Sequence, residues 1–445
     1  MREVQQKKGA RWNVKTSRLV RKKAQRRTVD SEPKTFSGFI SGNYAAARKS
    51  FTFLSLFSGA GIGDLGFTLA GGRCIGACEV DENRRAVHIE NHGVPVWADI
   101  RQESAAIISA FITSRPDVIV ATPPCQSFST ANSGRGMRLD PVHALKDRRN
   151  TLFFDALRVI NALKPKVAVF ENVPNFLERL VAGEQGEVAK PVKQWLKEAL
   201  SDYHESSTVG CFSVLGVPQR RKRAICVFVR KDLAEIDDCA PISDWSRWPG
   251  KLVRSPRTVR SALRGLRVLD GRSLETSTDR IDYLHAVPTY NDVHYSWISS
   301  IPPFSGGSAW ENSCESCGSE SCPVGQVQCD HCGASLLNRP HVVDSDGVRP
   351  IRGFKTSYRR MLPDEVAPTI TTSSGHFSSD IKIHFSENRV LSPRECARLQ
   401  TIPDSFSWPI AQRYKKNYLV REMIGEAVPP LVFYRLGMAI GKILK

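Results

Sequence analysis

FTFLSLFSGAGIGDLG, residues 51–66, runs from a short apolar stretch through a glycine-rich loop into a segment with helical spacing. FTFLSLF (51–57) predicts a buried strand, SGAGIG (58–63) a loop, and the next residues a helix ending near Gly71–Gly72. Gly61, Gly63 and Gly66 make a G-x-G-x-x-G pattern between that strand and helix. Glycine at such points allows a tight turn and a close approach of backbone to a cofactor. The pattern is widely shared, so its meaning depends on the residues downstream of it.

The same rhythm continues along the chain. RCIGACEV (73–80), VPVWADI (94–100), DVIVAT (117–122), VAVFENV (167–173) and AICVFV (224–229) read as further strands. Residues 82–91, 103–113, 151–163 and 191–200 between them form helices with one apolar face. Alternating strands and helices imply an α/β fold with a parallel sheet covered on both faces. After about residue 232 the rhythm breaks, and 236–385, rich in Ser, Pro, Gly and Arg, reads as a second, irregular domain. Helical patterns return at SPRECARLQTI (392–402) and at 426–444. Ser392 and Glu395 have capping-box spacing, with Pro393 at the first helical position.

With 445 residues, 41% of them hydrophobic, the chain can bury a large core and is expected to hold two or three units. No run approaches 18 apolar residues and the N-terminus carries no apolar core, so neither a membrane span nor secretion is expected, and the site of action is read as cytoplasmic, or nuclear in a host with a nucleus. The net charge of +18 points to a polyanionic partner. Residues 1–50 carry 14 Lys/Arg against 3 Asp/Glu. This basic extension reads as a solvated tail, as an arm laid along nucleic-acid phosphate, or as a short helical module.

Five of the twelve cysteines lie within 314–332, where CESCG and CDHCG repeat one pattern. Two Cys-x-x-Cys pairs, each followed by Gly, direct two thiolates each at one tetrahedral metal, so Cys314, Cys317, Cys329 and Cys332 are the candidate ligands of a structural zinc. Cys322 or His331 could substitute at one position. Four protein ligands would close the site, which suits a structural role.

Chemistry gathers at predicted strand ends. Glu79 ends the second strand, about twenty residues after the glycine loop, where a carboxylate can accept hydrogen bonds from ribose hydroxyls. Asp99 closes the third strand in the corresponding place. Cys125, between Pro124 and Gln126, follows the fourth strand, at the carboxyl edge where ligands bind to doubly wound sheets. Glu171 ends another strand on that edge, and PQRRKR (218–223) sets four cations before the last. A thiol, an acid and a guanidinium pair thus converge on the cofactor loop.

In this order the motifs resemble the DNA (cytosine-5)-methyltransferases of bacterial restriction–modification systems. FSGAGIG, the Pro-Cys-Gln of TPPCQS, the Glu-Asn-Val of FENVP, Gln-x-Arg-x-Arg in QRRKR, a variable region, RECARLQTIPDSF and GEAVPP carry the likeness over roughly 51–230 and 386–445. The resemblance implies a Rossmann-like S-adenosylmethionine-dependent methyltransferase domain, 51–235 with 386–445, and a smaller target-recognition domain, 236–385, bearing the zinc ribbon. It implies that Phe57, Gly59, Gly61, Glu79, Asp99, Pro124 and Glu426 serve the cofactor. Cys125 would be the nucleophile, Glu171 the acid engaging cytosine N3, and Arg221 and Arg223 the motif arginines beside them. Two positions depart from the family: Ile62 where a third glycine is common, and Glu426 where Asn is usual.

The implied partners are double-stranded DNA and a cognate restriction endonuclease, with the chain acting as a monomer in the bacterial cytoplasm, at the nucleoid. Cytosine C5 is too poor a nucleophile to take a methyl group directly, and thiolate attack at C6 would activate it. The target base must leave the duplex for this to happen. A nicotinamide oxidoreductase shares the glycine loop but leaves Pro-Cys-Gln and Glu-Asn-Val unexplained. An RNA cytosine-5 methyltransferase and a silent DNA-binding protein are two further rivals, and the intact Cys125, Glu171 and Arg223 speak against the second of these.

Overall fold

The computed structural model describes residues 50–124, 148–183, 187–233, 235, 244–248, 257–353, 356–414 and 417–444. Cys125 and residues 1–49 of the basic extension lie outside the described residues. The central sheet contains β1 (Phe51–Leu56), β2 (Gly72–Cys78), β3 (Val96–Trp97), β4 (Val118–Ala121), β5 (Val167–Asn172), β6 (Tyr203–Cys211) and β7 (Lys222–Arg230). Their order is β3-β2-β1-β4-β5-β7-β6. The first five strands pair in parallel, and β7 runs antiparallel to both β5 and β6. The chain moves outward from β1 to β3 and then crosses back to β4, so the ends of β1 and β4 part at a switch point where a ligand crevice forms.

The central strands are fully buried. β4 (VIVA) and β5 (VAVFEN) are covered on both faces, which explains their unbroken apolar runs. β6 (YHESSTVGC) is the strand that the apolar pattern did not predict. It is an edge strand with buried residues interspersed among polar ones. The sheet is therefore parallel-dominated, as expected, with one reversed strand, β7, set between β5 and β6.

The helices are α1 (Ile62–Leu69), α2 (Glu82–His92), α3 (Ile100–Phe111), α4 (Leu152–Leu163), α5 (Val192–Ala199), α6 (Val259–Leu263), α7 (Asp292–Ser299), α8 (Pro393–Leu399), α9 (Pro409–Tyr414), α10 (Asn417–Glu426) and α11 (Pro430–Ile443). Side chains of Asp81, Asp99 and Ser392 cap α2, α3 and α8 by accepting main-chain N–H bonds. Ser392 and Glu395 form the predicted capping box. Burial would raise the Glu395 pKa, but its bidentate pairing with the buried Arg389 holds the carboxylate well below the usual range. The helix expected over 426–444 is α11, which begins only at Pro430; Glu426 ends α10, and the chain breaks at Ala427-Val428-Pro429 between them. The segment Asn417–Ile443 is long and apolar enough to cross a membrane, yet 78% of its apolar window is buried inside the protein.

Two cores sandwich the sheet. On one face Leu54, Leu56, Ile119 and Phe170 pack against Phe153 and Leu157 of α4 and Ile107 of α3. On the other, Phe53, Val120 and Val169 meet Phe67 of α1 and Val432, Phe433 and Leu436 of α11. α1 and α11 approach so closely that a Cβ on Gly66 would lie 2.1 Å from the Pro430 carbonyl oxygen. A third core joins Val259 and Leu263 of α6, Leu284, Met361 and Ile370 to α8 and α10. Farther out, Trp297, Ile301, Trp310 and Tyr358 cluster around α7.

A buried polar junction links the C-terminal helices to the sheet. Gln219 is fully buried; its Nε2 donates to the Leu399 carbonyl (3.1 Å) and to Gln400 Oε1, and its Oε1 accepts from Ile370 N (3.1 Å). Gln400 in turn donates to the carbonyls of Ile424 (2.7 Å) and Ala427 (2.9 Å). Beside it, a Cβ on Gly425 would sit 2.4 Å from main-chain atoms of Thr371 and Thr372. Gly425→Ala is therefore expected to lower stability by about 1–3 kcal/mol, the usual range for overpacking. Urea denaturation of the variant measures this, and an unchanged midpoint would contradict the tight crossing.

Candidate active site

The carboxyl ends of β1, β2, β4 and β5 meet along one sheet edge. After β1 the chain turns on three left-handed residues, Phe57 (φ 59°), Gly59 (φ 56°) and Gly61 (φ 73°). A left-handed phenylalanine is strained. The surroundings hold it: the Phe57 ring packs against the core under α4, and its carbonyl accepts from Thr122 Oγ1 at 2.9 Å. No atom lies within 4 Å of a Cβ built on Gly59, whereas one on Gly61 would meet the rings of His88 and His92 at 2.7 Å. His92 Nε2 donates to the Gly61 carbonyl at 2.8 Å, and burial, then the neighbouring His88, lowers the His92 pKa. Behind it His88 Nε2 lies 3.0 Å from Asp64 Oδ2, and Ser55 Oγ donates to Asp64 Oδ1 at 2.9 Å. The glycine loop thus rests on a buried polar chain.

Glu79 follows β2 and is buried. Its Oε2 accepts from Gly59 N (2.9 Å) and its Oε1 from Asp81 N (3.0 Å), leaving each oxygen a further lone pair. Ser58 Oγ is buried with no hydrogen-bond partner among the described residues. Asp99, one strand farther out, accepts from Arg101 N at 3.0 Å as the cap of α3. Open space at Gly59, an unsatisfied hydroxyl and a carboxylate ready for a diol fit the adenosine end of S-adenosylmethionine.

Across the switch point β4 ends in Thr122-Pro123-Pro124. Thr122 N donates to the Leu56 carbonyl (3.1 Å), and the Pro123 carbonyl accepts from Asn172 Nδ2 (2.8 Å). Asn172, whose place in the sequence suggests no role of its own, therefore anchors the segment leading to Cys125. Glu171 beside it is only 7% exposed. Burial raises its pKa; Arg223, with Nε 3.3 Å from Oε1, and Arg221 pull the other way without overcoming burial. Arg221 lies deeper, fully buried, with its guanidinium donating to the carbonyls of Ile370 (3.2 Å), Gly425 (3.0 Å) and Glu426 (3.3 Å). Arg223 faces the acid, and Arg221 binds the C-terminal segment to the sheet edge. Glu426 Oε2 pairs with Arg84 at 2.7 Å.

The family described as C-5 cytosine-specific DNA methylase matches residues 51–442. The chain belongs to this family. Among individual relatives of this methylase, the Type II methyltransferase M1.HgaI of Avibacterium volantium is 29% identical over 400 residues, spanning 86% of this chain and 96% of the relative. The Type II methyltransferase M.Eco47II of Escherichia coli is 26% identical across 88% of this chain and 79% of its own. In fold, the methylase resembles the crystal structure of a putative DNA modification methyltransferase encoded within an E. coli prophage, with a TM-score of 0.56 at 20% identity, covering 89% of this chain and 99% of that one. The protein is thus a DNA cytosine-5 methyltransferase of restriction–modification type.

Away from that edge the methylase gathers Cys314, Cys317, Cys329 and Cys332, whose sulfurs lie within 4.8 Å of one another. The pairs Cys314–Cys332 and Cys317–Cys329 are each 3.7 Å apart. A zinc with Zn–S bonds of ~2.3 Å requires tetrahedral edges of ~3.8 Å. Gly318 and Gly333 both take φ +73°, each closing a turn onto the carbonyl of the first cysteine of its pair. Main-chain N–H groups of Cys317 and Ser316 lower the Cys314 pKa, and those of Cys332 and His331 lower that of Cys329 to about 6. Cys322 sits 3.6 Å from Cys329 but outside the set of four, as does His331.

The Glu171 environment carries a signed expectation. Its folded pKa is raised, so the folded state holds the proton more tightly than the unfolded chain. The stabilisation from this group is complete below the unfolded pKa of ~4.3 and is lost as pH rises through the folded value. Glu171→Gln should therefore melt higher than the parent by a margin that grows from pH 4 to pH 8. A melting difference that is flat with pH would contradict the burial effect.

Proposed function

We propose that this methylase transfers a methyl group from S-adenosylmethionine to C5 of one cytosine in a specific double-stranded DNA sequence, through a covalent bond between Cys125 and C6. The observation that carries the reading is the bond from Asn172 to the Pro123 carbonyl. It ties the buried acid Glu171 to the segment that enters Cys125 two residues later. Phe57, Gly59, Gly61, Ser58, Glu79 and Asp99 would hold the cofactor, with Pro124 at its rim, and the cofactor when bound supplies an electrophilic methyl on sulfur.

The chain's residues do the rest. As the Cys125 thiolate bonds to C6, electron density moves to C5 and the ring. Glu171, whose pKa burial raises, donates in its protonated form to N3 and offsets the charge that develops there. Arg223 remains against Glu171 and offers a donor to the base carbonyl. Once C5 carries the methyl group, loss of its proton re-forms the double bond and expels the thiolate. Arg221 supports this edge through the main chain. The base must be everted for any of these contacts. We assign the grip on DNA to residues 236–385 and to the basic extension, in keeping with the +18 net charge.

In keeping with the Type II designation of the relatives, the proposed role is protection of host DNA beside a cognate endonuclease; the methylase is proposed to act as a monomer in the bacterial cytoplasm. Bisulfite sequencing of DNA from cells expressing the chain should reveal one protected motif, and Cys125→Ala should erase it while DNA binding persists. Complete conversion with the intact chain, or protection by the Ala variant, would overturn the reading.

The four cysteines are proposed to hold one structural Zn²⁺. The sulfur spacing and the paired glycine turns support this assignment. Elemental analysis of purified protein should find one zinc per chain, and Cys329→Ser should lose it and lower the melting temperature. Metal-free protein of unchanged stability would remove the zinc.

A further inference from the structure

Glu426 stands where the family usually carries a neutral amide, within reach of the cofactor cradle. A bare carboxylate there would alter the field at the ribose-binding end, so the fate of its charge matters. Glu426 Oε2 lies 2.7 Å from Arg84 Nη2. Arg84 Nη1 in turn lies 3.8 Å from Glu79 Oε1, close enough for attraction but too far for a hydrogen bond. Arg84 stands in the first turn of α2, its main-chain N–H donating to the Asp81 cap. The next residue, Arg85, donates instead to the carbonyls of Glu79 and Val80 at 3.0 and 2.6 Å.

Glu79 therefore sits between a fixed pair of main-chain donors and one long cation. Its Oε1 and Oε2 each hold one N–H bond, from Asp81 and Gly59, and their remaining lone pairs are what a diol would use. A guanidinium closing by about 1 Å would occupy the Oε1 lone pair with a charge-assisted bond that a neutral hydroxyl does not displace readily. The stronger contact to Glu426 holds the guanidinium back. We propose that Glu426 is a positioning residue of the cofactor site: it draws Arg84 off Glu79 and so keeps the Glu79 carboxylate open to the ribose hydroxyls. This rests on the reading of Glu79 as the ribose-binding acid.

Calorimetric titration with S-adenosylhomocysteine, which carries the same ribose, tests the proposal without turnover. Glu426→Ala should weaken binding about tenfold as Arg84 collapses onto Glu79. Arg84→Ala should change it by less than about threefold, and the Arg84→Ala/Glu426→Ala double variant should return to within about threefold of the parent. A double variant as weak as Glu426→Ala would overturn the proposal, since Glu426 would then act independently of Arg84. Unchanged affinity in Glu426→Ala would overturn it equally. Glu79→Ala separates this from the underlying reading. If the parent binds and Glu79→Ala binds equally well, Glu79 is not the ribose acid, and the proposal falls with that assignment. Melting curves of each variant confirm that losses in affinity are not losses of fold.

Discussion

The whole arrangement depends on a buried polar junction that returns the C-terminal helices to a sheet built far earlier in the chain. Gln219, Arg221 and Gln400 are almost wholly excluded from water, and between them they satisfy main-chain groups at 370, 399 and 424–427. Buried donors and acceptors left unpaired are costly, so the junction closes in one register or not at all. That register sets Glu426 against Arg84 and brings α11 across α1. The catalytic edge is thus a composite, fixed by hydrogen bonds that reach across as many as 205 positions of sequence.

A second tension is local. Glu171 is buried where its ionised form is poorly solvated, and the nearby cations only partly compensate. For stability alone this is a poor place for a carboxylic acid. For the proposed role, in which Glu171 donates to a ring nitrogen, the same burial favours the protonated form that the chemistry needs. The two arginines that flank it differ in kind: Arg223 faces the acid, whereas Arg221 faces carbonyls.

Much of this was legible in the sequence because it is written locally. β1, β4 and β5 are dominated by apolar residues, the Ser392 box follows spacing rules, and the paired Cys-x-x-Cys-Gly turns predict their own geometry. β6 escaped because an edge strand with mixed burial leaves no apolar run. The break at 427–429 has a local cause in Pro429-Pro430, which cannot sit in a helix interior but suit the cap and first position of α11. Site residues divide the same way. Glu79 and Glu171 could be placed from strand ends, since position along a strand is a local property. The separate duties of Arg221 and Arg223 could not, because the partners of Arg221 lie at 370, 425 and 426. Nothing in ENRRA marks Arg84 as different from Arg85; only the fold sets Glu426 beside one of them.

The packing of α1 against α11 has a temporal side. The cofactor loop runs directly into α1, whose outer face is covered by a helix that leaves the ribosome much later. At about 5–20 residues per second, some 360 residues and about 20–70 seconds separate the two. Throughout that interval the nascent chain carries its glycine loop on a helix with Phe67 uncovered by Phe433. The cofactor site therefore cannot be finished before α11 has emerged, and a chain released short of that helix would lack the lock that holds α1 in place.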